Sequence, residues 1–479
     1  MTSPPLPLRT LATAAALLLA GCAAAPPMGP PTAPESPAWR ETVPGWMAAA
    51  PADTLARGPW WHLLGDAQLD ALVPQVAVSN QTVAGAAAAV EFTQASVREQ
   101  RAAFFPTVSV DAGASRSGTR SPPAAANSFR LGAGATWEPD LWGRIAGTVA
   151  TAQAQAQASE ADLAAATLSA QAAFVTAYLG VREADAETAL LQSTLEGYQR
   201  AAKITQNRYD AGLAPRSDVL QAQTQLANAQ SDLAGVRQVR AQQLHAMAVL
   251  AGQAPAAFTL PDGTWNATTA PAVPPGLPSA LLQRRPDIAA AERRVAAANA
   301  GIGVARAAWF PGVTLSADLG QAASHLGDLL SASATTWSFG LALAETIFDA
   351  GARSARVDEA RASWRESVAA YRQSVLTAFQ EVEDDLTAAN TLEQQQALRR
   401  VASQAADQAE VQVFNRYRAG QVSYADVVTA QVSALSARRA LLQASLSRQL
   451  SAVQLVVALG GGWDAAAPRE AAGAPPGSP

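Results

Sequence analysis

The chain holds almost none of the residues from which reactive sites are usually assembled. One cysteine, Cys22, stands among 479 residues, which excludes an intrachain disulfide. The three histidines, His62, His245 and His325, are scattered, with no His-x-x-x-His pair and no cysteine partner, so no metal site is expected. Gly301-Ile-Gly303 lacks the third glycine and the preceding strand of a nucleotide-binding turn. Lysine occurs once, at Lys203, and 34 basic residues face 39 acidic ones. The net charge of −5 argues against nucleic acid as a partner. No internal segment reads as apolar enough for a membrane helix, and the N-terminal run Leu11–Ala20 is too short to span one. With no convergent nucleophile, base or ligand set, neither an enzyme nor a cofactor is expected.

The informative content is a repetition. RYDAGLAPRSDVLQAQ at 208–223 returns as RYRAGQVSYADVVTAQ at 416–431, without a gap, at an offset of 208. Gly212 and Gly420 are placed to end an incoming helix, and Asp218 and Asp426 to fall in the first turn of an outgoing one. A helical hairpin turn needs only a glycine and a cap. The recurring arginine, tyrosine and aspartate therefore point to an internal duplication. Arg101-Ala-Ala-Phe-Phe-Pro106 likewise returns as Arg306-Ala-Ala-Trp-Phe-Pro311.

Residues 1–21 have the charge and apolar run of an export signal. They end in Leu19-Ala20-Gly21-Cys22, which resembles a lipobox and makes Cys22 the expected lipidation site and mature N-terminus. Ala23 in place of aspartate suits the outer membrane by the usual lipoprotein sorting pattern. Residues 22–59 form a Pro-rich tether, 60–252 and 279–462 the two repeats, 253–278 a linker and 463–479 a tail. In each repeat, period-2 patterning marks a β-hairpin. Val108, Val110, Ala112 and Ala114 share a face, as do Phe129, Leu131, Ala133, Ala135 and Trp137, with a polar loop expected over Arg116–Asn127. The second hairpin has Val313, Leu315, Ala317 and Leu319, then Trp337, Phe339, Leu341 and Leu343. Polar residues or glycine fill the alternate positions, apart from Ala342 and Ala344 in the last strand, as in transmembrane barrel strands.

One helix is expected from Asp66 to Phe105, and long helices from Gly143 to Arg208 and from Gly351 to Arg418. At ~1.5 Å per residue each long one spans roughly 100 Å. After each turn comes a heptad seam rich in alanine: Val219, Ala222, Leu226, Ala229, Leu233 and Val236, matched by Val427, Ala430, Ala434, Ala437, Leu441 and Ala444. The fold expected is mainly α with a membrane β part, in two tandem repeats of coiled-coil helices each carrying a hairpin. Four strands cannot close a barrel, and open edges are not tolerated in lipid. The strands must therefore be pooled between chains, and helices long enough to wrap a tube favour three chains and twelve strands. A passive export channel accounts for the hairpins. A structural periplasmic coiled-coil lipoprotein without channel activity has no use for them.

Gly276-Leu-Pro-Ser-Ala-Leu-Leu-Gln-Arg-Arg-Pro-Asp-Ile288, continuing through Glu292 and Ile302-Gly303 to Trp309-Phe310-Pro311, resembles the signature of TolC-type outer-membrane efflux proteins, in their OprM/NodT lipoprotein branch. Asp140-Leu-Trp-Gly-Arg144, Ile347-Phe-Asp349 and Phe379-Gln-Glu-Val-Glu-Asp384 are similar to other words of that family. The resemblance implies a homotrimer with a twelve-stranded barrel in outer-membrane lipid and a helical tunnel through the periplasm. It also implies a periplasmic adaptor and an inner-membrane pump, commonly of the resistance-nodulation-division type, as partners. The family's gate aspartates and tyrosine fall on Asp218, Asp426 and Tyr417. Its gate arginine falls on Val422, and a further constriction aspartate on Thr429. A capping role competes with the gate role at Asp218 more than at Asp426, where three chains would make a ring of carboxylates that raise one another's pKa and bind cations. Glu381, Glu383, Asp384 and Asp385 read as a solvated or packed helix face in preference to a cation site.

Overall fold

The computed structural model describes residues 59–120, 123–261, 263, 265–267 and 285–461, with residues 32, 39 and 40. Cys22, the signal, most of the tether, the first part of the family signature and the tail lie outside them. Two compact units are formed. Of the described residues, those within 88–160 and 290–373 belong to the one that holds the sheet, and those within 59–87, 161–289 and 374–461 to the one that holds the largest apolar core.

In chain order the elements are α1 (Ala67–Ser79), α2 (Gln81–Ala102), β1 (Thr107–Arg120), β2 (Pro123–Trp137), α3 (Arg144–Asp210) and α4 (Arg216–Leu250). The second repeat follows with α5 (Pro286–Ala307), β3 (Gly312–Ala323), β4 (Thr335–Ala344), α6 (Ala352–Arg418) and α7 (Tyr424–Ala458). The repetition is metric as well as verbal: α3 and α6 are both 67 residues long, α4 and α7 both 35. An aspartate starts each long helix. Asp140 accepts from the backbone N–H groups of Ile145 and Ala146 at 2.9 and 2.7 Å, and Asp349 from those of Gly351 and Arg353, both at 3.0 Å. Free N–H groups at a helix start need such acceptors.

The four strands make one antiparallel sheet in the order β1-β2-β3-β4, so β2 and β3 join the two repeats. The register keeps every apolar set on one face. Val110 lies opposite Ala133, Ala133 opposite Leu319, and Leu319 opposite Trp337. In the row that begins with Thr107, Thr136 faces Ser316 and Ser316 faces Gly340, so the other face carries polar and small residues across all four strands. Among the described residues β1 and β4 each pair on one side only.

Three expectations need correction. The first hairpin is longer than its hydrophobic alternation, since β1 pairs with β2 through Arg116–Asn127 to Arg120–Pro123. Backbone pairing continues where the side chains no longer alternate, because the ladder bonds do not depend on them. The first helix is interrupted at Asn80, which is buried. Its amide oxygen accepts from the backbone of Thr82 and Val83 at 2.9 and 3.1 Å, capping α2, while its amide nitrogen donates to the Leu250 carbonyl at 2.9 Å. A local helix propensity gives way there to a long-range bond. Finally, α3 does contain an 18-residue window long and apolar enough, by composition alone, to cross a membrane. Dense alanine produces it.

The core of the second unit gathers Trp60, Leu69, Val73, Phe174, Tyr178, Met247, Leu386 and Leu455. Two arginines fasten its edges. Arg182 is 1% exposed, stacks on the Tyr178 ring at 4.9 Å and donates to the Pro261 carbonyl at 3.0 Å. Arg285, just before α5, pairs with Asp287 at 2.7 Å and with Glu381, and donates to the Ala458 carbonyl at 3.1 Å. Part of the signature resemblance thus has a mechanical meaning: its second arginine ties the start of α5 to α6 and to the end of α7.

Candidate functional site

The repeated turns form the site, and their backbones are nearly interchangeable. Leu213 donates its N–H to the Arg208 carbonyl at 2.8 Å and Gly212 to Tyr209 at 2.9 Å. In the second copy Gln421 donates to Arg416 and Gly420 to Tyr417, both at 2.9 Å. Gly212 and Gly420 each have φ 72°, the left-handed conformation that this helix-ending bond pair requires.

The side chains differ sharply. Tyr417 is 2% exposed and Tyr209, its counterpart, is 40% exposed. Tyr417 packs edge-on against Tyr424 with ring centroids 5.3 Å apart, in a cluster with Ala222 and Val427. Burial, and then the neighbouring Tyr417, push the Tyr424 phenol up to about 12, so it stays neutral. Arg208 crosses from the first turn to the second. Its guanidinium sits over the Tyr417 ring at 4.7 Å, and Nη1 donates to the Tyr417 carbonyl at 2.9 Å. The buried Thr205 hydroxyl lies 3.5 Å from the Tyr417 hydroxyl. Sequence reasoning passed over Arg208, Thr205 and Tyr424, although Arg208 is part of the repeated word.

The two aspartates also part company. Ser423 is the N-cap of α7, and a reciprocal capping box joins it to Asp426. The Asp426 carboxylate accepts from the Ser423 hydroxyl at 2.7 Å and its backbone N–H at 3.0 Å; the Ser423 hydroxyl accepts in return from the Asp426 N–H at 3.3 Å. The serine hydroxyl, and then its N–H, hold the Asp426 carboxyl below the usual carboxylate range. In the first turn Pro215 occupies the N-cap, with no side-chain cap bond, and Asp218 is half-buried. The weighting expected from sequence is therefore reversed: capping belongs to Asp426. Val422 packs against the tyrosine cluster, and Thr429 is exposed, its hydroxyl donating to the Ala425 carbonyl at 3.0 Å.

The acidic run on α6 is dispersed. Glu381 pairs with Arg285, Glu383 accepts the Arg40 N–H at 2.8 Å, and Asp384 accepts from Gln380 at 3.3 Å. No group of three or more potential metal ligands occurs among the described residues.

Tandem helical hairpins of equal length and a four-stranded sheet with one largely apolar face define a helical membrane-channel protomer. The chain belongs to the outer membrane efflux protein family, whose sequence pattern it matches over residues 72–253 and 277–461. It is 33% identical over 457 residues to the probable efflux pump outer membrane protein TtgC of Pseudomonas putida, with 94% of each chain covered. It is 32% identical over 459 residues to the outer membrane protein OprJ of Pseudomonas aeruginosa, covering 94% of this chain and 95% of that one. Its fold is similar to the solved outer-membrane channel OprN, with a TM-score of 0.84 at 30% identity over 92% of this chain and 99% of the other. The chain is accordingly the outer-membrane channel component of a tripartite efflux system, acting with an adaptor and an inner-membrane pump across the periplasm.

Proposed function

We propose that three copies of the chain assemble into the exit duct, pooling their sheets into one twelve-stranded barrel whose apolar face meets outer-membrane lipid. The observation that carries this reading is the sheet itself: one face on which the apolar sets of all four strands lie together, and edge strands β1 and β4 each paired on one side only among the described residues. Lipid offers no hydrogen bonds to such edges, so another chain must. The duct is passive and receives its substrates from a pump of the resistance-nodulation-division type through the adaptor. Cys22 carries the lipid that anchors the mature N-terminus, and the two repeats are joined by the linker at 253–278. At the paired turns Asp218 and Asp426 supply the carboxylates of the gate, while Tyr417, held by Arg208, fixes the second hairpin against the first.

Native mass spectrometry of the detergent-solubilised protein tests the assembly. Three copies are expected, and a monomer or dimer would falsify the pooled barrel. An arginine at Leu131 or Leu341 should cost about 2–4 kcal/mol if its site lies near the bilayer midplane. The intact mass of the mature chain tests the anchor separately. A chain beginning elsewhere than an acylated Cys22 removes the lipoprotein assignment and leaves the barrel untouched.

A further inference from the structure

A cavity of about 380 Å³ opens between α3, α4 and α7, beyond the turns and within the second unit. Tyr198 of α3, Asn228 and Asp232 of α4, and Val432, Leu435 and Arg439 of α7 line it. Tyr198 is 4% exposed, yet its hydroxyl has no hydrogen-bond partner among the described residues. Burial, and then the Glu410 carboxylate, push that phenol up to about 12, so it is a neutral group with donor and acceptor both unused. Leaving such a group unsatisfied is costly, which makes the cleft receptive to a polar guest.

The charges around it select the guest. Arg439 gives its Nε to Glu187 and reaches Asp232 Oδ2 with Nη1 at 3.3 Å, beyond the usual range for a good charged bond. Among the described residues no hydrogen bond or ion pair engages Asp232 Oδ1. Arg439, the cation of the lining, is therefore shared between two carboxylates, Glu187 and Asp232. Leu435 and the 48% exposed Val432, on α7, supply apolar lining.

We propose that this cleft is a binding site for a small amphiphilic organic cation. Its ammonium donates to Asp232 Oδ1 and Tyr198 Oη while its apolar body lies on Val432 and Leu435. An anion would meet surplus negative charge, and a purely apolar guest would leave Tyr198 unsatisfied. The volume lies near the lower end of the range for small-molecule sites. Because α4 and α7 each begin at one of the paired turns, a guest held between them fixes their spacing just beyond the gate.

Isothermal titration of phenethylammonium into the full chain, purified in detergent in its assembled form, tests the site. Saturable binding of one probe per chain is expected, with 2-phenylethanol as a neutral probe that does not saturate. Asp232→Asn should weaken binding about tenfold or more, and Tyr198→Phe about fivefold, as expected for a charged and a neutral hydrogen bond. Val432→Trp fills the cleft without touching any ion pair, and should abolish binding with the thermal melt unchanged. It decides the matter if Asp232→Asn fails to fold. Absence of saturable binding, equal binding of the alcohol, or binding that survives Val432→Trp would each overturn the proposal.

Discussion

The two turns share backbone, glycine conformation and eight identical residues, yet one is a packed interface and the other largely a solvent surface. At the second, Tyr417 and Tyr424 are each 2% exposed; at the first, the matching positions hold the exposed Tyr209 and Arg216. Arg208 is spent on its neighbour's ring and carbonyl, while Arg416 acts on Asp426 only through its charge. Duplicated sequence preserved the local bond pattern, whereas the long-range partners determined what each copy does. A residue's role in a repeat is therefore set by what the other repeat presents to it.

The largest expected difference lies between the tyrosines. Tyr417→Ala should remove about 3–5 kcal/mol of stability, the usual cost of emptying a buried aromatic site. Tyr209→Ala should stay within about 0.5 kcal/mol, as exposed positions do. Chemical denaturation followed by tryptophan fluorescence measures both, and equal losses would dissolve the distinction.

Next come the arginines. Arg208→Met keeps the stem but loses the stacked charge and the bond to the Tyr417 carbonyl, at about 2 kcal/mol. Arg416→Met should lose less than about 0.5 kcal/mol. If Arg208 restrains the gate, only its variant raises open probability in planar-bilayer recordings. Unchanged gating would reduce Arg208 to a packing residue.

The caps offer a smaller and reciprocal test. Ser423→Ala should cost about 1 kcal/mol, while Pro215→Ser, which gives the first turn the missing cap, should gain about 0.5 kcal/mol. A loss on Pro215→Ser would mean that the rigid proline matters more than the capping bond.

The pH dependence of Asp426 is the finest probe. Its folded pKa is lowered, first by the Ser423 hydroxyl and then by the Ser423 N–H. The unfolded chain therefore takes up the proton first as pH falls. The stabilisation is complete above the unfolded value of about 3.9 and fades as pH drops through the lower folded one. Carboxyl NMR of isotope-labelled aspartate should show the Asp426 titration moving upward in Ser423→Ala. An unmoved Asp426 would show that the box is not what lowers it.

Much of the fold could be read directly because its determinants are local. Alternation at Val108–Ala114 and Val313–Leu319 needs only neighbouring residues, and all four apolar sets do share one face. The helix-ending glycines and the seam of Val219, Ala222, Ala229, Leu233 and Val236, all buried, were accessible for the same reason. The break at Asn80 was not, because its cause is a carbonyl 170 residues away. The Arg208–Tyr417 contact, 209 residues apart in sequence, was hidden likewise. The reversed aspartates are a different case. Serine at 423 against proline at 215 was visible, and Ser-x-x-Asp is a local capping pattern close to the usual one. Comparing the copies where they differ, and not only where they agree, would have found it.

The sheet's shared parity also constrains how such a chain can change its length. A single residue added inside any strand would turn every side chain beyond it to the wrong face. The error could not be confined, since β2 and β3 stitch the repeats together through nine consecutive pairs from Phe129–Ala323 to Trp137–Leu315. Insertions and deletions within these strands should therefore survive in descent only in even numbers, whereas the segment between β3 and β4 is free to drift by single residues. Length variation among relatives becomes a ruler, marking where the ladder stops and the loop begins.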